Sequence, residues 1–457
     1  MRAFINSLFR GVQLSGIPPR QSLYLTEEGR LSEWKPVSSP FSTVNGLVYN
    51  RVNGHHYFSA QSIGGIPWNR SSFVYRYDKS GNQIVQQVHI PKHNDITEAW
   101  DTHPVPVTHV LEDGNILVTV EKTMDSNNRS NGHNTDMLLY KTTVPGDLST
   151  LAYWKSLPGF YCYPKVWQKG PYIHFNFRGT RGGLDLTKTI LESSYDSGVT
   201  FTDRIIVDIP MTSPLRRAYT RMLWDESSEE MILLLTIRND SIGIYESVYA
   251  IRSHISDGKV WQNWEGTFSK DVSTQGAITF AEIQPCLVWY NNPEQYITLA
   301  EGGAAANGTL KLLMSRSIPT GGVFDNNAES TQEDLRLFFN DGSGWKWNSL
   351  KSIMPSPSYA HYTSQENLIS FASLPDADYI QVMDKTNSPV CRLYEHRSTN
   401  NFQSYTSKLI WEGVGSYYLG PKTANARSIK EQLSLLVDVQ GQQTQFNSSS
   451  NLLVLDA

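Results

Sequence analysis

The chain has 457 residues, of which 18% are charged and 11% aromatic, with 32 Gly, 22 Pro and a net charge of −5. That balance excludes a typical nucleic-acid binder, which carries a basic stripe, and the lack of any run of eighteen apolar residues excludes a spanning helix. A chain this long divides on average into roughly two to four domains, but closed all-β architectures hold such lengths as one domain.

The first twenty residues read as an N-terminal extension. They open Met-Arg-Ala-Phe-Ile-Asn-Ser-Leu-Phe-Arg, whose apolar stretch is interrupted and does not make a signal peptide. An extracellular, secreted protein is still expected, through another export route or after loss of a leader, with a virion-associated tail component as the alternative. Residues 22–35 follow, with Leu23-Tyr24-Leu25-Thr26, a Glu-Glu-Gly turn and Leu31-Ser32-Glu33-Trp34, the pattern of a hairpin.

From there strand signals dominate. Short β-branched and aromatic runs stand at 47–49, 73–77, 116–120 and 173–177. Turn chemistry separates such runs, at Ser80-Gly81-Asn82, Asp113-Gly114, Asn291-Asn292-Pro293 and Asn340-Asp341-Gly342. Helical periodicity is confined to 429–436, which fits a strand pair equally well. Similar openings recur near Thr43, Pro104, Phe160, Arg217, Ile278, Tyr359 and Ser416, about 60 residues apart and wider for the fifth unit. Units of that size with four strands predict an all-β fold, a single β-propeller over 1–457 with seven four-stranded blades. The segments 22–35 and 416–456 are expected to share the closing blade, which would remove free edges. Deleting the residues before Val37 should then collapse folding.

Cys162, Cys286 and Cys391 are odd in number and form no C-x-x-C, so buried free thiols are expected. Cys391 with His396 is a thin hint of a structural metal, which is left open. The run Ser194-Tyr195-Asp196-Ser197-Gly198-Val199-Thr200-Phe201 matches the Asp-box pattern S-x-D-x-G-x-T-[WF] at every fixed position. Its Asp caps turn amides and its Gly takes the tight conformation, so Asp196 is structural. Weaker echoes stand at Asp341-Gly342-Ser343-Gly344-Trp345 and Ser398-Thr399-Asn400-Asn401.

One ordered set of residues points further. Asp101-Thr102-His103 is followed by Asp113-Gly114, then His133-Asn134 before Leu138-Leu139-Tyr140, then Tyr163-Pro164 and Arg178-Gly179. Over roughly residues 100–205 this order resembles the BNR-4, Asp-box type β-propellers that include the ulvan lyases. Two departures stand out: Pro104 where the family usually has Asn, and an inserted Asn- and Ser-rich stretch at 124–132. Should that insertion displace His133, His109 is the fallback.

The resemblance implies a polysaccharide lyase that cleaves uronic-acid glycans, sulfated ones included, by β-elimination. Such a reaction removes the C5 proton beside a carboxylate and expels the C4 oxygen, so a cation must first neutralise that carboxylate. Arg178 suits this, since its fork pairs both oxygens and stays charged. Tyr163 is the implied base and acid, with His103 or His133 as second proton carrier or as the group that positions the sugar. Lys165, His174, Arg181, Arg216, Arg217, Tyr219 and Arg221 are candidate substrate binders, and Trp100, Trp154 and Trp167 are candidate sugar platforms. Ordinary packing is the competing role for each residue taken singly. The chemistry needs no cofactor. The expected partner is an acidic polysaccharide, with no nucleic acid and no membrane, and no oligomeric state is read from the sequence.

Two other function classes compete. A sialidase- or rhamnosidase-like glycoside hydrolase would use the same scaffold, but Arg316-Ser317-Ile318-Pro319 is only a broken form of the sialidase Arg-Ile-Pro. A non-catalytic glycan-binding or tail-adhesin module fits the polar loops. No Gly-rich phosphate loop, H-E-x-x-H or G-x-S-x-G is present.

Overall fold

Successive strands here are apolar on both faces. β15 reads Met-Ile-Leu-Leu-Leu-Thr-Ile, and alternate side chains leave the strand in opposite directions to enter two different cores. Met231, Leu233 and Leu235 pack toward the preceding sheet, while Ile232 and Leu234 pack toward the following one. This arrangement requires sheets stacked face to face in series, and it is what the computed structural model has. The structure describes residues 22–23, 47–63, 70–81, 83–90, 106–121, 136–180, 187–209, 216–239, 244–290, 296–306, 308–319, 330–353, 369–384, 390–414, 417–423, 425–428, 430–439 and 450–456.

In chain order, β1 (Ser22–Leu23) belongs to the last sheet. The first sheet holds β2 (Val48–Asn50), β3 (His55–Ile63), β4 (Arg70–Asp78) and β5 (Gln83–His89). The second holds β6 (Val107–Val110), β7 (Ile116–Glu121), β8 (Met137–Thr142) and β9 (Leu151–Leu157). The third holds β10 (Phe160–Lys169), β11 (Tyr172–Thr180), β12 (Lys188–Ser194) and β13 (Thr202–Asp208). The fourth holds β14 (Arg216–Asp225), β15 (Glu230–Asn239), β16 (Ile244–His254), β17 (Val260–Gln262) and β18 (Ser269–Asp271). β19 (Ile278–Thr279) adds to β13 and β20 (Leu287–Tyr290) adds to β16.

Next come β21 (Tyr296–Ala306), β22 (Thr309–Pro319), β23 (Ser330–Asn340) and β24 (Lys346–Ser349), then β25 (Ile369–Leu374), β26 (Ala377–Asp384), β27 (Val390–Ser398) and β28 (Thr406–Val414). β29 (Tyr417–Lys422), β30 (Leu433–Val439) and β31 (Ser450–Asp456) end the chain, with β1 paired antiparallel to β31.

The fold is all-β, a single β-propeller built of four-stranded blades. Among the described residues there are six hydrogen-bonded sheets where seven blades were expected, because β21 and β25 share one parallel bridge, Glu301 to Ser370, which joins two antiparallel meanders into a single eight-stranded sheet. The expected fifth start, Ile278, also moves. Its two-residue strand adds in parallel to β13, with Val207 opposite Ile278, and the fifth meander begins at Tyr296. The segment with helical periodicity becomes β30 from Leu433 onward. Of residues 22–35 only Ser22 and Leu23 are described; 1–21 and 24–46 lie outside the described residues. Among the described residues no helix is long and apolar enough to cross a membrane.

Because each blade is an up-and-down meander, strand ends alternate between two edges. One edge collects short turns. At Ser194–Phe201 the Ser194 Oγ lies 2.7 Å from Asp196 Oδ1 and accepts from Gly198 N at 2.7 Å, while Asp196 accepts from Thr200 N and Oγ1 at 2.9 and 2.6 Å. These bonds hold the Asp196 carboxyl at a pKa of about 2. The Ser398 turn repeats the backbone part of the pattern: Phe402 N donates to Ser398 Oγ at 2.8 Å and Ser404 N to Asn400 Oδ1 at 3.0 Å, while the closing side-chain bond runs the other way, from Asn400 Nδ2 to Ser404 Oγ at 2.9 Å. Left-handed backbone falls at Ser197 and Gly198 in one turn and at Asn401 and Phe402 in the other.

Candidate functional site

The opposite edge is where β10 and β14 begin and where β11 and β15 end. Arg178 stands two residues before the end of β11, with Cys162 as its cross-strand partner on β10. Next to Cys162 the ladder breaks: pairing resumes only at Lys165, opposite Asn176, so Tyr163-Pro164 forms an irregularity. Proline lacks the amide that a ladder needs, which explains the break at that point. Tyr163 therefore follows directly on the residue opposite Arg178; its side chain lies outside the described atoms.

Arg178 is 2% exposed, and its guanidinium carbon lies 4.1 Å from the centre of the Tyr219 ring on β14. Tyr219 meets Tyr245 edge-on at 5.5 Å, and Arg238 sits over Tyr245 at 5.8 Å. Alternation puts Arg217, Tyr219 and Arg221 on one face of β14, and the register sets Arg217 directly opposite Arg238 on β15. The neighbouring carboxylate, Glu246, is already engaged: it pairs with Arg216 Nε and accepts from Asn239 Nδ2 at 3.2 Å. The result is a run of guanidinium groups laid against phenol rings. It resembles the electrostatics of an anion cleft, in which fixed cations over aromatic faces are partly desolvated and correspondingly strong.

Deeper on β10, Lys165 is buried, and its charge acts on His109 of β6. Burial, with a smaller contribution from the Lys165 charge, pushes His109 down to about 3. Its Nε2 is buried without a hydrogen-bond partner. A neutral imidazole beside a cation can accept or relay a proton but cannot itself hold an anion.

The expected residues distribute as follows. Arg178, Lys165, Arg217, Tyr219 and Arg221 fall on adjoining strands of the third and fourth blades. His103, His133, Arg181 and Trp100 lie outside the described residues. His174 departs from its expected role as a substrate binder. It is buried near the turn edge, with Nδ1 2.9 Å from Ser193 Oγ and Nε2 2.7 Å from the Ile255 carbonyl, so both ring nitrogens are used within the fold. Burial lowers its pKa to about 4. Tyr219, also expected to bind substrate, is instead covered by Arg178.

Trp167 stacks on Trp224 at 3.9 Å and Trp154 lies edge-on to Phe201 at 6.2 Å, so both are blade packing rather than sugar platforms. Cys391 and His396 are five apart on β27 and leave opposite faces of the strand; Cys391 joins a core cluster, while His396 Nδ1 lies 2.8 Å from Ser407 Oγ. That geometry removes the pair as joint metal ligands. Among the described residues no group of three or more His, Cys, Asp or Glu is placed to hold a metal.

Sequence reasoning missed Arg238 and Tyr245. The signal was present but non-local: a lone Arg ending the apolar run of β15 acquires meaning only once the register sets it opposite Arg217.

Comparison with solved structures gives the same fold over nearly the whole chain. An ulvan lyase of polysaccharide lyase family PL25, bound to -[GlcA(1-4)Rha3S]-, matches with a TM-score of 0.69 at 13% identity, covering 95% of this chain and 96% of that one. The polysaccharide lyase Uly1 matches with a TM-score of 0.60 at 11% identity, covering 96% and 94%. At these identities the likeness establishes the propeller and its strand order. No family model matches the chain, and no curated protein does.

Proposed function

We propose that this chain is a polysaccharide lyase that cleaves uronic-acid-containing glycans by β-elimination. The observation that carries the reading is the placement of Arg178 at the edge where β10 opens, cross-strand from Cys162 and thus beside Tyr163 in the ladder. The whole-chain likeness to propellers named as polysaccharide lyases supports it.

In this mechanism Arg178 pairs the uronate carboxylate. Its guanidinium carbon rests 4.1 Å from the centre of the Tyr219 ring, so little reorganisation accompanies charge build-up as the C5 proton leaves. Low exposure makes that ion pair worth more than it would be in water. Tyr163 takes the C5 proton and returns one to the departing C4 oxygen, with His103 or His133 as partner in the transfer. The electron pair from the C5–H bond becomes the C4–C5 double bond as the C4–O bond breaks. No cofactor enters this scheme. An acidic polysaccharide is met outside cells, so the protein is read as extracellular.

The test is incubation with ulvan, glucuronan and rhamnose–glucuronate polymers while the ultraviolet absorbance of the new C4–C5 double bond is followed. Rising absorbance is the expected result. Cleavage into saturated ends would assign a hydrolase instead, and binding without cleavage would assign a lectin.

A further inference from the structure

We propose that Trp347 and Arg336 form a second glycan-binding platform on the outer wall of the propeller, which takes an uncharged pyranose unit of the same polymer. The proposal rests on the polysaccharide reading for its ligand, while the observations behind it are local to the fifth meander. Trp347 stands on β24, the outermost strand of that meander, and is 49% exposed. The guanidinium carbon of Arg336, on β23, lies 4.0 Å from the centre of its ring. One indole face is thus covered by a cation, and the other is the face left to solvent.

What lies beneath fixes the ring. Arg336 is also 5.3 Å from the centre of the Trp289 ring, and Trp289 meets Phe338 at 5.1 Å. Both rings are buried in one core cluster, with Trp289 arriving on β20 from the fourth blade. Phe338, Trp289, Arg336 and Trp347 therefore make a column from core to surface, and a ring so held loses little freedom when a ligand stacks on it. The C–H face of a pyranose is apolar and matches an indole, so covering the exposed ring is favourable. Polar groups stand beside it. Asp334 accepts from Arg336 Nε at 2.5 Å, and among the described residues the structure shows no acceptor for the Nη groups. Ser349, exposed, is opposite Arg336 in the register and shares the face of Trp347. Such donors beside a ring are what orient a sugar by its hydroxyls. Charge decides the unit: Asp334 answers Arg336 and Asp341 answers Lys346, so no surplus cation is present for a uronate or a sulfate. The candidate site stands on β10, β11, β14 and β15, so a ligand that also reaches Trp347 is a long polymer, held at raised local concentration.

The experiment is affinity electrophoresis of wild type, Trp347→Ala, Trp347→Phe and Arg336→Gln in a rhamnose–glucuronate polymer and in glucuronan, at about 0.1 M and about 1 M salt, with thermal midpoints measured in parallel. Trp347→Ala is expected to weaken retention by the mixed polymer about three- to tenfold, the worth of one aromatic contact. The loss should be the same at both salt concentrations and absent on glucuronan, which has no neutral unit. Trp347→Phe should recover part of it, and Arg336→Gln should show a smaller loss. Should the Ala variant fail to fold, Trp347→Thr, which suits an exposed strand position, repeats the test. Unchanged retention of a folded variant, a loss that disappears in high salt, or an equal loss on glucuronan overturns the platform.

Retention is read without turnover, which separates this from failure of the lyase reading. Should wild type be retained without forming unsaturated ends, the lyase reading falls, and the platform stands if Trp347→Ala is retained less. Should unsaturated ends form while Trp347→Ala is retained as wild type is, the platform alone falls. Wild type that is retained by neither polymer sinks both.

Discussion

The two edges of the propeller spend their polar residues in opposite ways. At the turn edge several polar side chains close on their own turns: Asp196 with Thr200, Asn400 with Ser404, Asp78 with Ser80, Asp147 with Ser149. His174, near that edge, is likewise consumed by Ser193 and Ile255. At the other edge cations are set against aromatic rings and against one another, as Arg178 on Tyr219 and Arg217 opposite Arg238. An internally satisfied turn stabilises the ring and has no valence left for a ligand. A cation stacked on an aromatic face keeps its charge and its orientation, the two properties that recognition of an anion uses.

The sharpest way to break this comparison is at Tyr163. Tyr163→Phe keeps the ring and removes one hydroxyl, so kcat on a uronic-acid polymer should fall by about 10²–10⁴-fold with polymer binding retained. The measurement is initial rate by ultraviolet absorbance beside affinity electrophoresis. Unchanged turnover would move the proton chemistry elsewhere. Arg178→Lys should come next, at about 10²–10³-fold in kcat, because the charge survives while the fork and the stacking plane are lost. A loss confined to KM would make Arg178 a binding group only.

Substitutions at the turn edge should do the reverse, lowering stability and leaving the turnover of folded protein intact. Gly198 has φ of +85°, and a Cβ there would lie 2.4 Å from the Trp154 ring. Gly198→Ala should therefore cost about 1–3 kcal/mol of stability from backbone strain alone, read as a lower thermal midpoint. Phe402 occupies the matching position in the Ser398 turn with φ of 61°. Phe402→Gly would relieve roughly 1–2 kcal/mol of left-handed strain, but this ring is buried in the core beside Leu393 and Ile380. Removing such a ring costs about 3–5 kcal/mol, so the Gly variant should also be destabilised. A stabilised Phe402→Gly would mean that packing there is slack.

These outcomes also mark which parts of the molecule were legible in the sequence. The Ser194 turn was, because the bonds that Ser194 and Asp196 make in it span no more than four residues. Strand character was, because both faces of strands such as β15 are apolar. The start of the fifth blade was not: Ile278 sits in a good strand sequence, but its partner Val207 is on a strand that ended long before. Likewise His174 reads as a rim residue until Ile255 arrives from the next blade to cover it. Arg238 was invisible for the same reason. Local signals set the turns and strands; what a polar residue does depends on the blade beside it.

The smallest effect expected separates His174 from Asp196 by pH. Burial lowers the His174 pKa from 6.5 to about 4, so the unfolded chain takes up that proton first as pH falls. Its contribution to stability is whole above pH 6.5 and is lost progressively toward pH 4. Asp196 acts lower, since its folded value of about 2 lies below the ordinary 3.8; its contribution is present above pH 3.8 and disappears as pH drops through about 2. Both therefore make the protein less stable in acid, but in different windows. His174→Gln should flatten the thermal midpoint between pH 6.5 and 4 without altering its slope below, and Asp196→Asn should flatten only the lower range. Because Asp196 is fully exposed, solvent screening keeps its part the weaker of the two. If Asp196→Asn instead flattened the upper window, or changed the turnover of folded protein, the turn edge would not be the self-contained structure that its hydrogen bonds describe.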